Sequence, residues 1–127
     1  MIKYIMLLAL PFLASSCSAA HDAAYYSLHP PALQEALEQC PGQHPAGVTC
    51  EELNSCAIRA NQLVSELQQD PQVFGQTILT LQEELEKSKS DLQNSSDKAD
   101  LQAAIDKHNA QLNERLAIVK WLESPRG

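Results

Sequence analysis

Residues 49–71 read TCEELNSCAIRANQLVSELQQDP, and this stretch decides the fold. Thr49-Cys50-Glu51-Glu52 has the form of a capping box, in which the threonine oxygen accepts from the N3 amide and the N3 glutamate reaches back to the threonine amide. From that start Leu53, Ala57, Ala60, Val64 and Leu67 recur at steps of three and four, which places them on one side of a helix running to about Gln69. Asp70-Pro71 ends this helix and opens the next, because aspartate caps a helix start and proline is tolerated in the first turn.

Towards the C-terminus the apolar pattern continues in two registers. Phe74, Ile78, Leu81, Leu85 and Leu92 follow a heptad whose missing place is filled by Ser88. Gly75 weakens the start of this helix by up to ~1 kcal/mol. Asn94-Ser95-Ser96-Asp97 breaks the run, and the last helix carries Leu101, Ile105, His108, Leu112, Leu116, Val119 and Leu122 on one stripe. The heptad does not carry across the break, since Ala99 would be followed by Asp106 where the apolar residue is Ile105. Residues 71–127 are therefore expected to fold back as an antiparallel, coiled-coil-like hairpin with arms of ~30 Å, a surface open to self-association. His108, on the stripe, is expected to be a satisfied packing residue or a register device for the helix pair.

Towards the N-terminus, Pro30-Pro31 opens a shorter helix with Leu33, Ala36, Leu37 and Cys40 on one face, and Pro41-Gly42 ends it. A turn-rich loop, residues 41–48, then leads back to the Thr49 cap. Two helices joined by so short a loop pack antiparallel, which brings Cys40 towards Cys50. Cys50 and Cys56 cannot bridge each other, because six residues along one helix separate them by roughly 240° of rotation and some 9 Å of rise. Cys40 thus pairs with Cys50 or with Cys56; the packing favours Cys50 and leaves Cys56 as a small buried apolar side chain. A zinc set of Cys40, His44, Cys50 and Cys56 is disfavoured by its irregular spacing. Nothing reads as a strand, so the expected class is all-α: a disulfide-stapled helix pair followed by a helical hairpin.

The first sixteen residues stand apart from this pattern. Met1-Ile2-Lys3 is a short positive segment, and Tyr4–Leu13 is an apolar run too short to span a bilayer, which takes about 20 residues. Residues 1–16 are read as a secretory signal peptide. Leu13-Ala14-Ser15-Ser16-Cys17 resembles a bacterial lipobox, which would make Cys17 the lipidated N-terminus. A rival cut after Ser18-Ala19-Ala20 would release a soluble chain starting at His21. Residues 17–24 are then a tether, 25–70 the stapled segment and 71–127 the hairpin extension. Ser18 after the cysteine resembles lipoproteins sorted to the outer membrane, which is favoured over the inner; either way the chain would face the periplasm.

Composition narrows the function classes. The chain has 127 residues with 16 acidic against 9 basic side chains, a net charge of −7. No basic stripe is present to hold phosphate, which argues against nucleic acid. Beyond the leader the aromatics are Tyr25, Tyr26, Phe74 and Trp121, so the core is thin and a covalent staple is in keeping with it. The histidines (His21, His29, His44 and His108) are scattered, and no phosphate loop, zinc-protease helix or serine elbow occurs. The chain is expected to be non-enzymatic, with neither metal nor cofactor.

One segment is more specific. Tyr25-Tyr26-Ser27-Leu28-His29-Pro30-Pro31-Ala32-Leu33 leads into Leu37-Glu38-Gln39-Cys40, and Cys50 follows after the Pro/Gly loop. Together with Cys17 this resembles the EexN-type entry-exclusion lipoproteins encoded with conjugative type IV secretion systems. Members share a lipobox, an aromatic pair, a histidine followed by proline or a similar residue, a leucine-rich helix ending in cysteine, and a second cysteine. The resemblance covers residues 17 to about 57. It implies a lipid-anchored factor that blocks redundant conjugative transfer by contacting a type IV channel protein. Tyr25, Tyr26 and His29 would be its recognition residues, or structural ones: the tyrosines packed on the disulfide and Leu33, the histidine capping the helix at Pro30. The alternative function is a structural or assembly accessory lipoprotein of an envelope secretion complex.

Overall fold

The structure is a computed structural model and describes residues 21–124. Five helices follow in order: α1 Ala23–Leu28, α2 Pro30–Glu38, α3 Cys50–Gln69, α4 Pro71–Asn94 and α5 Lys98–Glu123. The described residues form no strand, and no helix among them is long and apolar enough to cross a membrane.

The local signals act as written. Thr49 Oγ1 accepts from the Glu52 amide at 3.1 Å, and the Thr49 amide donates to Glu52 Oε2 at 2.9 Å, so both halves of the capping box form. Asp70 Oδ1 accepts from the Val73 amide at 3.0 Å, with Pro71 at the first helical position of α4. Helix α2 ends at Glu38, and Cys40 sits in the turn just beyond it rather than on the helix. Its disulfide partner is Cys50, the first residue of α3, at a Cα–Cα distance of 6.0 Å. Cys56 is free and buried.

Helix α1 was not expected; it begins inside the stretch read as a tether, residues 17–24. Asp22 caps it by accepting from the Tyr25 amide at 3.0 Å. Six residues are too few for a periodic signal and too few to hold a helix alone, so its stability comes from packing. Tyr26 is buried with Leu33, Ala36, Val48, Leu53 and Cys56, and Ala23 lies against the same cluster. The Ser27 hydroxyl donates to Cys56 Sγ, and the Cys56 thiol donates to the Ala23 carbonyl, each at 3.5 Å, which ties α1 to α3.

Helices α4 and α5 form the expected antiparallel hairpin. Leu81, Leu85, Ile105 and Leu112 make a cluster with Ile78 and Leu92 to which no other helix contributes. A second cluster, Leu63, Phe74 and Ile118, joins the hairpin to α3. Ala60 belongs to the edges of this cluster and of the α1–α3 cluster, so the apolar interior continues past the Asp70 turn. Helices α3 and α5 each pack against all four other helices, whereas α4 packs only on those two.

The C-terminal half of α5 departs from the expected stripe. Leu112 is buried, but Leu116 and Leu122 are each 41% exposed, while Ile118 is 1% exposed. Ile118 lies roughly 240° around the helix from Leu112. This half of α5 faces α4 on one side and α3 on another, so a single three-and-four stripe cannot describe it. Two ion pairs hold the α3 side: Arg59 to Glu114 at 3.3 Å and Arg115 to Glu66 at 3.9 Å. The Arg115 guanidinium also lies over the Phe74 ring, 5.9 Å from its centroid.

His108 is half-satisfied, not fully satisfied as expected. Its Nε2 lies 3.4 Å from Glu84 of the facing helix, while Nδ1 is buried without a partner. The contact with Glu84 across the hairpin suits the register role.

Candidate functional site

His21 and His29 flank the two ends of α1, and with Tyr25 of its first turn between them the three rings form a column. The His21 and Tyr25 rings stack with centroids 3.6 Å apart, and Tyr25 and His29 stack at 4.0 Å. His29 Nδ1 lies 2.8 Å from the Tyr25 carbonyl, and since a carbonyl only accepts, Nδ1 is assigned the hydrogen and Nε2 is left as the ring's acceptor. This bond closes the C-terminus of α1. His29 occupies the N-cap position of α2, but its side chain makes no capping bond there, which corrects the expected role.

The two tyrosines divide the work. Tyr26 points inward beside Leu33 and the staple, as expected of a packing residue. Tyr25 turns its ring between the two imidazoles, edge-on to Tyr26 at 5.3 Å. His21 and His29 are exposed. Of the resemblance-bearing residues, Tyr26 is buried, Tyr25, Cys40 and Cys50 are half-buried with Tyr25 and Cys40 packed against the same cluster, and His29 is exposed.

Beside the ring column lies a cleft of about 260 Å³. One wall is the α1–α2 corner, with Tyr25, Leu28, His29 and Pro31; the other is the last turns of α5, with Ala117, Lys120, Trp121 and Ser124. Pro30 is buried beneath it, its ring fixing the corner at the start of α2. Trp121 is half-buried, and Val119, Ile118 and Phe74 pack beneath the same stretch of α5. Sequence reasoning did not single out Trp121 or Lys120 for this place. Both fall off the α5 stripe, and the signal available was only that Trp121 is the chain's one tryptophan.

The remaining candidates disperse. The disulfide takes two members of the zinc set, and His44, exposed in the loop, bonds the Pro45 carbonyl at 3.1 Å. Among the described residues no cluster of His, Cys, Asp and Glu has the arrangement of a metal site. Cys17 lies outside the described residues. Stacked rings, proline faces and the Lys120 ammonium are groups suited to surface recognition. Compared with known proteins, the chain matches no family model, no curated protein and no solved structure.

Proposed function

We propose that the chain is a lipid-anchored, non-enzymatic recognition factor on the periplasmic face of the bacterial cell envelope. In this reading it is of the entry-exclusion kind, blocking redundant conjugative transfer through a type IV secretion system. Cys17 carries the anchor, with Ser18 directing it to the outer membrane. The observation that carries the reading is the division within residues 25–50. Tyr26 and the Cys40–Cys50 staple form a rigid support, and beside the cleft the half-buried Tyr25 is held between two imidazoles with His29 exposed. A recognition surface needs side chains whose rotamers are held before the partner arrives, and a stacked column on a stapled helix pair meets that need. The test is expression of the intact protein in a recipient strain: uptake of the cognate element falls while unrelated elements transfer normally. A fully lipidated, normally accumulated protein that leaves cognate transfer unchanged overturns the exclusion reading.

A second reading is a structural or assembly accessory of an envelope secretion complex. It is favoured by the distal half of the α4–α5 hairpin, whose own apolar cluster lets it project as an arm without support from the other helices. Co-purification with secretion components that survives Tyr25→Ala and is lost on deleting the hairpin tip supports this alternative.

A further inference from the structure

We infer that a separate hollow, between α2 and the stapled loop, takes an arginine side chain from a basic segment of a partner protein. This adds a contact to the recognition reading and depends on neither the anchor nor exclusion. Ala32, Glu35, Ala36 and Gln39 follow helical spacing along one side of α2. The two alanines are short, and beside them lies a hollow of about 220 Å³ that Pro45 and the His21–Tyr25 stack also line. Tyr26 lines it too, although the residue is only 6% exposed. Its hydroxyl has no hydrogen-bond partner among the described residues. That oxygen is not sealed in, because the enclosed side-chain atoms without a partner are His108 Nδ1 and Arg115 Nε. The hydroxyl is therefore the part of Tyr26 that opens on the hollow, its bonding capacity unused by the protein.

The open groups match one side chain. Glu35 is exposed and forms no ion pair among the described residues. Its carboxylate, the Gln39 amide oxygen and the Tyr26 phenol oxygen are acceptors carried by two helices around one opening. A guanidinium only donates, through several N–H groups in a planar fork, and its stem lies well on apolar surface such as Ala32, Ala36 and Pro45. The charge around the hollow agrees. From residue 4 to residue 58 the chain has no Lys or Arg, but it has Asp22, Glu35, Glu38, Glu51 and Glu52. The described cations start at Arg59, which is tied to Glu114, and Lys120 lines the other cleft. At the hairpin tip, by contrast, Lys89 and Lys98 stand among the aspartates, so a basic segment is steered to the stapled end. The Cys40–Cys50 bridge fixes the loop that carries Pro45, which leaves little ordering to be done on binding.

The test titrates the nitrogen-15-labelled protein, as the cell processes it and in a neutral detergent, with acetyl-Gly-Arg-Gly-amide. The citrulline counterpart keeps the shape of the side chain and lacks its charge. The arginine peptide is expected to shift the amide signals of Glu35, Ala36, Gln39 and Ala46, to bind about tenfold or more tighter than the citrulline peptide, and to weaken as salt is raised. Glu35→Gln is expected to bring arginine binding down to the citrulline level. Tyr26→Phe keeps the buried ring and is expected to weaken binding by about two- to tenfold, with far-UV circular dichroism unchanged in both variants. Equal binding of the two peptides, or arginine binding that both variants leave intact, overturns the site. Shifts as large at Asp91, Asp97 and Asp100 mean diffuse attraction to carboxylates and overturn it as well. A lysine peptide that binds as tightly overturns the assignment to arginine. A protein that binds arginine in this way but leaves cognate transfer unchanged keeps the hollow and loses the exclusion reading.

Discussion

Replacing Ile118 with alanine removes three carbons from the point where α3, α4 and α5 meet. Ile118 is 1% exposed and packs with Leu63 and Phe74, both buried. Three methylene-sized groups at ~0.8 kcal/mol each give about 2.4 kcal/mol of lost transfer free energy. The cavity term raises the total to about 3–4 kcal/mol, within the range for large-to-small core changes. For a domain of this size that lowers Tm by roughly 12–24 °C. Leu116→Ala removes as many carbons two residues away, but from a side chain 41% exposed at the hairpin edge, and is expected to cost about 1 kcal/mol. Urea titrations of the full chain followed by far-UV circular dichroism and by Trp121 fluorescence measure both. Trp121 packs on the same cluster as Ile118, so the two probes are expected to coincide in a two-state transition. If Leu116→Ala costs as much as Ile118→Ala, α5 follows the simple stripe and the packing of its last turns on α3 is wrong.

Two further outcomes are expected. Non-reducing peptide mapping gives a Cys40–Cys50 link, Cys56 reacts with maleimide only after denaturation, and Cys40→Ser with Cys50→Ser lowers stability by about 2–3 kcal/mol for a loop of this length; a Cys40–Cys56 link refutes the assignment. Gly75 sits in α4 with nothing within 4 Å of a built Cβ, so Gly75→Ala stabilises the chain by about 0.5–1 kcal/mol in the same titration, and a loss of stability contradicts the open surroundings.

Several features are settled within a few residues of each other, and these the sequence determined by itself. The Thr49 capping box, the Asp70-Pro71 start of α4, the break at residues 95–97 and the meeting of Cys40 with Cys50 all depend on one cap, one turn or one short loop. The α4 heptad was legible for the same reason, since one partner along its distal length covers one face of the helix. Helix α1 was not legible, because six residues gain their order from Tyr26 and Ala23 packing on residues more than twenty positions away, Leu53 and Cys56 among them. The buried face of late α5 was not legible either. A helix covered on several sides spreads its apolar residues around the axis, and periodicity then cannot say whether Leu116 or Ile118 is inside. The same burial carries Trp121 and Lys120 round to Tyr25 and His29, some ninety residues away in the chain. The cleft thus exists only through tertiary contact: residues so distant in sequence share no local pattern, and only the docking of α5 across the α1–α2 corner brings them onto one surface.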